Sequence, residues 1–319
     1  MRERTVTYSP AFTLVPTREC FNRCGYCNFR AERGADWLNP TEARALLLPL
    51  VRSGVVEILV LSGEVHPHDP RRSEWFAMIQ GICEVALELG FLPHTNCGVL
   101  RFEEMRALQQ LNVSLGLMLE IDSNRLLGSV HRQAPSKLPA LRTGQLEWAG
   151  TLGIPFTTGL LLGIGETPAE REDTLRTIAR LHNRHGHIQE VILQPHSPGG
   201  SQSWVGEPLG EAQLLDMVRL ARQILPAEIT IQIPPNLVGD LVPLLEAGAR
   251  DLGGIGPVDV VNPDYAHPVV ERLGERLAAA GWQLEPRLPV YPHLDRRVAA
   301  ALQPLLGEHR ARLCQAAVT

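Results

Sequence analysis

Eight short runs of apolar and β-branched residues alternate along this chain with longer amphipathic stretches, and this alternation constrains the fold most strongly. Parallel neighbours in a sheet need a crossover connection, which is usually a helix, so the pattern predicts an α/β fold with a parallel sheet. The candidate strands are Phe12–Pro16, Val56–Leu61, Leu92–Asn96, Val113–Leu119, Phe156–Leu162, Glu190–Gln194, Ile229–Ile233 and Asp251–Ile255.

Several of the intervening segments carry helix signals. Asn39-Pro40-Thr41-Glu42 offers an N-cap, a proline at the first helical position and an acidic residue at the third, and Thr167-Pro168-Ala169-Glu170 repeats that arrangement. Leu214, Val218 and Ala221 recur at helical spacing. These segments are expected to be the crossover helices.

Eight strand–helix units predict closure into a (β/α)8 TIM-type barrel, with an open doubly wound sheet as the alternative. Polar motifs follow the candidate strands, as they do in barrels, where catalytic groups lie at the carboxyl ends of strands. We expect a barrel domain over residues 1–285 and a short C-terminal extension, residues 286–319, packed on it.

Composition and charge argue against several classes of function. The net charge of −5 gives no basic surface for nucleic acid. The chain contains no run of about 18 apolar residues, so no membrane span is expected. Its start lacks the apolar core of a signal peptide, which predicts a cytoplasmic protein. Thiols stay reduced in that compartment, where clustered cysteines indicate a metal or catalysis rather than disulfides.

Three cysteines, Cys20, Cys24 and Cys27, fall within eight positions, and the other three, Cys83, Cys97 and Cys314, are isolated. Protein-bound iron–sulfur clusters usually take four thiolates, so three indicate a [4Fe-4S] cluster with one open iron. Structural zinc remains an alternative, although a fourth ligand is missing nearby. The third possibility is that the three cysteines pack in the core and bind no metal.

The string C-x3-C-x-aromatic-C, here Cys20, Cys24, Tyr26 and Cys27, resembles the signature of radical S-adenosylmethionine (SAM) enzymes. The resemblance implies one [4Fe-4S] cluster per chain with three cysteine ligands, and SAM bound to the open iron. In that superfamily one electron from the cluster cleaves SAM to methionine and a 5′-deoxyadenosyl radical. The resemblance also implies a barrel of the radical SAM kind.

Two further motifs resemble motifs that contact SAM in the superfamily. Ser62-Gly63-Glu64 resembles its Gly-Gly-Glu motif, which assigns Glu64 to the SAM amino group. The run from Gly159 to Glu166 resembles G-x-I-x-G-x-x-E and implies adenine contacts near Gly163, Gly165 and Glu166.

Polar residues around the fourth and sixth strands are weaker candidates for cofactor contacts. Ser114 and Glu120 suit the ribose hydroxyls or the sulfonium side of SAM, and Arg132 suits the SAM carboxylate. Gln194 could contact adenine or substrate. For each of these residues a purely structural role remains open.

Longer strings narrow the resemblance to the FO synthase subunit 1 family, where FO is 7,8-didemethyl-8-hydroxy-5-deazariboflavin. They are Val6–Pro10, Cys24–Arg30, Gly63–Pro67, Pro93–Asn96, His131–Lys137 and Gly253–Pro257. The resemblance implies a tyrosine–ribitylaminouracil adduct as substrate and FO, with loss of ammonia, as product. It also implies FO synthase subunit 2 as pathway or complex partner, and an electron donor such as ferredoxin or flavodoxin.

Other functions remain open at this point. A radical SAM relative, such as FO synthase subunit 2 or a menaquinone-pathway enzyme, would share the cysteines but act on another substrate. A zinc-stabilised binding protein is the non-enzymatic alternative. Strand-end residues that could bind substrate include Asn96, Thr157, Thr158 and Asn236, together with His66, His68, His94 and His196. The sequence assigns no acid or base among them.

Overall fold

A parallel β-barrel surrounded by helices forms the body of the computed structural model, which describes residues 4–316. Its strands are β1 (Thr5–Leu14), β2 (Glu57–Leu61), β3 (Leu92–Asn96), β4 (Ser114–Gly116), β5 (Phe156–Leu162), β6 (Ile188–Pro195), β7 (Thr230–Gln232), β8 (Asp251–Ile255) and β9 (Gln283–Pro286). The helices are α1 (Pro40–Leu47), α2 (Arg72–Glu88), α3 (Phe102–Gln109), α4 (Pro139–Leu152), α5 (Pro168–His185), α6 (Glu211–Ile224), α7 (Val242–Ala247), α8 (Val270–Ala279) and α9 (Gln303–Ala316).

Strand β1 closes the barrel. It pairs in parallel with β2 through Ala11–Leu14 and with β8 through Thr7–Pro10, while β2 to β8 follow one another in chain order. Every pairing is parallel, because a helix or a longer segment carries the chain back between consecutive strands. The (β/α)8 TIM-type barrel expected from the sequence is therefore confirmed, and the open sheet is not formed.

Three of the strands have the bounds predicted from the sequence. β3, β5 and β8 have the predicted ends. β1 begins at Thr5 rather than Phe12, because Thr5–Tyr8 pair with Gln283–Pro286 of the unpredicted strand β9. β4 ends at Gly116, although Leu117 and Glu120 still donate backbone hydrogen bonds to Thr157 and Gly159 of β5.

Both predicted helix starts are confirmed. The Asn39 side chain accepts from the backbone of Thr41 and Glu42 at the start of α1, and Glu42 accepts from Asn39 in return. Thr167 and Glu170 form the same reciprocal cap on α5. Each cap satisfies backbone donors that a helix leaves unpaired at its first turn.

A second apolar cluster attaches the C-terminal segment to the amino-terminal end of the barrel. Leu288, Val290, Leu294, Val298, Leu302 and Leu306 pack with Leu92 and Val113, which lie at or just before the first residues of β3 and β4. The division into residues 1–285 and 286–319 remains a prediction, and residues 1–3 and 317–319 lie outside the described part of the chain. Across residues 4–316, none of the helices combines the length and apolar character needed to cross a membrane.

Candidate functional site

The loop between β1 and α1, residues 15–39, brings the three clustered cysteines to the carboxyl ends of the strands. Cys20, Cys24 and Cys27 are free, half-buried, and line one cavity of about 340 Å³, called here the thiol cavity. Its other polar lining residues are Asn22, Asn28, Ser62, Glu64, Asn96, Glu120, Lys137, Arg142, Gln194, His196, Ser197 and Asn262.

Backbone hydrogen bonds fix the cysteine loop against the end of β2. Phe21 N donates to Glu64 O at 3.0 Å, and Gly63 N donates to Thr17 O at 2.8 Å. A Cβ atom at Gly63 would collide with the carbonyl group of Glu19. Glycine at position 63 therefore permits the close approach of the two backbones that sets the thiols beside Glu64.

The thiols lie in a low-dielectric setting. Burial raises the pKa of Cys24 to about 12, against the opposing charge of Lys137, and burial also raises the pKa of Cys20. A bound metal reverses this preference, because a coordinating thiol is deprotonated outright. Metal ligation would therefore offset the effect of burial at Cys20 and Cys24.

The donor set distinguishes a cluster from a single ion. Among residues 4–316 no three Cys, His, Asp or Glu side chains converge closely enough to hold one metal ion. A four-iron cluster makes a different demand, since each thiolate binds a different iron. Three thiols spread around one cavity are a donor set that would suit such a cluster.

Glu64 lies beside the thiols and is held from two sides. Its Oε1 accepts from Arg142 Nη2 and its Oε2 accepts from Val99 N, both at 3.3 Å. Gly98, at φ +80°, packs against the Glu64 side chain, and any Cβ there would displace it. The long contacts leave the carboxylate with capacity for a further donor.

Glu120 and Lys137 form a second buried ion pair in the thiol cavity. Burial opposes ionisation of Glu120, but the charges of Lys137 and Arg142 outweigh it and hold the pKa of Glu120 below its usual value. Glu120 has φ +63°, a left-handed conformation that is costly for a non-glycine residue. Such strain is concentrated at functional sites, where the surrounding contacts maintain it.

Of the predicted cofactor residues, the structure brings Glu64, Glu120 and Gln194 into the thiol cavity with the three cysteines. Ser114 is not among its lining residues. It is the first residue of β4, at the amino-terminal end of the barrel, where its hydroxyl contacts His94 and Pro289. The sequence reveals a polar residue in a strand but not which end of the barrel it reaches.

Arg132 is also outside the thiol cavity, and its side chain is exposed. The short helix Pro135–Lys137 turns the chain inward after it, so that Lys137 enters the cavity instead, followed by Arg142 of α4. Sequence reasoning did not assign these two cations. The available signal was that Lys137 is the only lysine of the chain.

The Gly163–Glu166 turn is built as a rigid support. The Glu166 carboxylate accepts from Gly163 N and Ile164 N, both at 2.8 Å, and from Arg171 Nε at 2.8 Å. Gly163 and Gly165 adopt φ +91° and +96°, so the turn requires glycine. None of the three lines the thiol cavity, and Glu166 holds the turn through its backbone.

The loop after β6 packs over this turn. The sequence did not predict that contact. Trp204 N donates to Gly25 O at 2.8 Å, and its indole Nε1 donates to Gly163 O at 3.4 Å. Trp204 therefore connects the cysteine loop, through its backbone, with the glycine turn, through its indole.

A second cavity of about 190 Å³, called here the lumen cavity, lies inside the barrel and adjoins the thiol cavity. The two share lining residues, among them Leu59, Leu61, Asn96, Ile192 and Gln194. His94, Thr157 and Asn236 also line the lumen cavity, whereas His66 and His68 are exposed and the Thr158 hydroxyl accepts from Leu119 N. A small molecule bound in the barrel would thus directly face the thiol cavity.

Comparison with known proteins agrees with this geometry. Residues 14–178 match the radical SAM superfamily. A relative from Gloeobacter violaceus (strain ATCC 29082 / PCC 7421), named 7,8-didemethyl-8-hydroxy-5-deazariboflavin synthase, is 92% identical over 319 residues, 100% of each chain. A relative of the same name from Trichormus variabilis (strain ATCC 29413 / PCC 7937) is 58% identical over 301 residues, 93% of this chain and 88% of its own.

Solved structures share the fold at low sequence identity. The FeFe-hydrogenase maturase HydG from Carboxydothermus hydrogenoformans has a TM-score of 0.72 at 17% identity, over 98% of this chain and 78% of its own. Methylornithine synthase (PylB) has a TM-score of 0.68 at 17% identity, over 89% of this chain and 84% of its own. These likenesses concern the barrel alone.

Proposed function

The chain belongs to the radical SAM superfamily of enzymes and, within it, to the 7,8-didemethyl-8-hydroxy-5-deazariboflavin synthase family, and from this we propose that it forms FO. The proposed substrate is the adduct of tyrosine with ribitylaminouracil, 5-amino-5-(4-hydroxybenzyl)-6-(D-ribitylimino)-5,6-dihydrouracil. Its conversion to FO releases ammonia, methionine and 5′-deoxyadenosine, as a step towards coenzyme F-420.

The observation that carries this proposal is the adjacency of the two cavities in a chain that is 92% identical, end to end, to a synthase of that name. The thiol cavity supplies a site for the cluster and SAM. The lumen cavity supplies a site for a substrate next to it. Their shared wall at Leu59, Leu61, Asn96, Ile192 and Gln194 is where the two ligands would meet.

Cys20, Cys24 and Cys27 would hold one [4Fe-4S] cluster in the proposed enzyme. When bound, the cluster and SAM supply a one-electron cleavage that yields methionine and a 5′-deoxyadenosyl radical. The protein's part is to position both ligands and to exclude side reactions. The half-buried thiols and the covering loop around Trp204 provide that protection.

The head group of SAM carries an amino group and a carboxylate, and the thiol cavity offers charges of both signs. Glu64 and Glu120 are carboxylates, and Lys137 and Arg142 are cations. A balanced set of this kind suits a zwitterion, since each charged end finds an opposite partner in a site largely shielded from water. We assign the amino group to Glu64 and the carboxylate to Lys137 or Arg142.

The same proposal implies two protein partners. FO synthase subunit 2 would supply the adduct, and a ferredoxin or flavodoxin would supply the electron. A cytoplasmic location agrees with the need to keep the thiols reduced.

The test combines anaerobically reconstituted protein, a strong one-electron reductant, SAM and the synthetic adduct. We expect FO, detected by its fluorescence, together with 5′-deoxyadenosine and methionine in matching amounts. Formation of 5′-deoxyadenosine without FO would contradict the proposed substrate and favour a radical SAM relative, such as subunit 2 or a menaquinone-pathway enzyme. A protein that held zinc and never iron would contradict the whole proposal.

A further inference from the structure

We propose that the amino-terminal end of the lumen cavity is a subsite for an uncharged, polyhydroxylated chain, which in the proposed reaction is the ribityl tail of the substrate. The identity of that tail rests on the proposed function. The side chains that form the subsite, called here the floor group, are Glu57, His94, Thr157, Glu190, Gln232 and Arg287.

The floor group lies deep in the barrel relative to the thiols. Glu57 is the first residue of β2 and Leu61, which belongs to both cavities, is the last. Four steps along a strand span about 13 Å. A substrate that reacts beside Leu61 therefore has room to extend its other end towards Glu57.

The one cation of the floor already has carboxylate partners within the protein. Arg287 donates from Nε and Nη2 to Asp251 at 2.6 and 2.7 Å, and from Nη2 to Glu190 at 2.7 Å. The hydroxyl of Tyr291 donates to Glu190 as well. Arg287 is the one Lys or Arg side chain among the described residues that line the lumen cavity.

The pairing of Arg287 with these carboxylates disfavours a charged ligand in the floor. A phosphate or carboxylate entering the floor would find its only strong cation held by two carboxylates, and burying an unpaired charge is costly. A cationic end would have to compete with Arg287 for the oxygens of Asp251 and Glu190, while burial at Glu57 raises the pKa of that carboxyl and opposes the ionised form that a cation would need. An uncharged ligand that exchanges hydrogen bonds meets no such penalty.

His94 supplies a hydrogen-bond acceptor to the cavity. The Ser114 hydroxyl has one proton, which it donates to Pro289 O, so the contact of 2.6 Å between Ser114 Oγ and His94 Nδ1 requires Nδ1 to be the donor. The ring is neutral because burial lowers the pKa of His94 to about 3. Its Nε2 therefore keeps a free lone pair.

Gln232 and Glu57 supply the complementary groups. Within residues 4–316 the Gln232 side-chain amide makes no hydrogen bond, and it packs over Gly253, where a Cβ atom would collide with it. The Glu57 carboxyl forms no salt bridge in the described chain, and burial raises its pKa against the opposing charge of Arg287. A carboxyl, an amide and an imidazole lone pair together offer hydrogen-bond donors and acceptors, which is what successive hydroxyl groups require.

The experiment compares two ligands on the reconstituted holoenzyme with SAM, before reduction. One is the adduct, and the other is the same adduct with an n-pentyl chain in place of the ribityl chain. The readout is the ratio of their dissociation constants by titration. In Gln232→Leu we expect the preference for the ribityl ligand to fall by about 3- to 10-fold, the value of one net hydrogen bond.

Three further variants distinguish loss of the subsite from general damage to the fold. Glu57→Gln keeps a hydrogen-bonding side chain and should retain most of the preference, whereas Glu57→Leu should lose it. Gln109→Leu makes the same chemical change in α3, where the amide donates to Leu152 O outside both cavities, and should leave the ratio unchanged. A Gln232→Leu variant that binds both ligands with the wild-type ratio would overturn the proposal.

Failure of the proposed function and failure of the subsite give different experimental results. If the wild-type enzyme prefers the ribityl ligand and Gln232→Leu loses that preference, the subsite stands even if no FO forms on reduction. If FO forms normally but none of the floor variants changes the ratio, the reaction stands and the subsite falls.

Discussion

Arg142 of α4 donates to the carboxylate of Glu64, at the end of β2, across 3.3 Å, and this contact ties a helix to a strand end directly beside the three thiols. The same guanidinium also donates to the backbone oxygens of Ser136 and Met118. Glu64 is thereby presented to the thiol cavity by a partner that is itself fixed. We expect it to receive the amino group of SAM in that position.

Replacing Glu64 by glutamine keeps its shape and removes its charge. Hydrogen bonds to charged groups contribute about 1.5–3 kcal/mol, so we expect Glu64→Gln to weaken SAM binding by roughly 10- to 100-fold. Equilibrium binding of labelled SAM to the reconstituted protein measures this. Glu172→Gln, which changes an exposed residue paired with Arg176, should bind SAM as the wild type does. Unchanged affinity in Glu64→Gln would contradict the assignment.

Lys137 offers a test that needs no substitution, because it is the only lysine in the chain. Its ammonium group lies 5.7 Å from the ring centroid of Tyr26 and pairs with Glu120. If it binds the SAM carboxylate, SAM should protect it from an amine-reactive reagent, as followed by mass spectrometry of the peptide. The α-amino group of the same chain serves as the internal reference. Equal labelling of Lys137 with and without SAM would contradict this role.

Cluster binding predicts a strict difference between two cysteines. Cys24→Ser should lose most of the iron after anaerobic reconstitution, since serine oxygen is a poor replacement for a soft thiolate ligand. Cys314→Ser, in α9 and exposed, should retain about four irons per chain, as the family implies. Iron analysis and the visible absorption of the cluster report both. Full iron in Cys24→Ser would show that this thiol is not a ligand.

The stability of the fold at mild acid pH should depend on His187. Burial, and then the charges of His185, His182 and Arg297, lower the pKa of His187 to about 3. The unfolded chain, with a histidine pKa near 6.5, therefore binds more protons than the folded one at intermediate pH, so acidification destabilises the fold. Relative to His187→Leu, the wild type should lose about 1.4 kcal/mol of unfolding free energy per pH unit between about pH 6 and pH 4.

Denaturant unfolding of the two proteins at several pH values measures this difference. His68→Leu, at an exposed histidine, should follow the wild type throughout. A constant gap between wild type and His187→Leu across the window would show that His187 takes up its proton in the folded state.

The fold was predictable because its signals are local. Phe156–Leu162 is a bounded run of apolar and β-branched residues, Leu92–Asn96 is a short segment between two helical stretches, and both strands have the predicted ends. Strand β9 was missed because Gln283–Pro286 is short and partly exposed, and it exists only because Thr5–Tyr8 offer an edge far away in sequence. Closure of the barrel followed from counting strand–helix units.

A motif that fixes both residue type and backbone predicts which residues lie together, and the three cysteines and Glu64 do line one cavity. Their roles as cluster ligands and SAM contact stay predictions. Ser114 and Arg132 show the limit. The direction of a side chain after a strand depends on turns such as Pro135–Lys137, which sends Lys137 inward and leaves Arg132 exposed. Arg287 shows the same limit at long range, because its partner Glu190 is 97 positions away. No sequence pattern announces such a contact.

We propose that a radical formed in the thiol cavity reaches a substrate held in the lumen cavity. A single turnover with adduct deuterated throughout the tyrosine-derived part, followed by mass spectrometry of the 5′-deoxyadenosine, tests this transfer. We expect FO together with 5′-deoxyadenosine that carries one deuterium atom. Formation of 5′-deoxyadenosine without deuterium, in reactions that still yield FO, would contradict it.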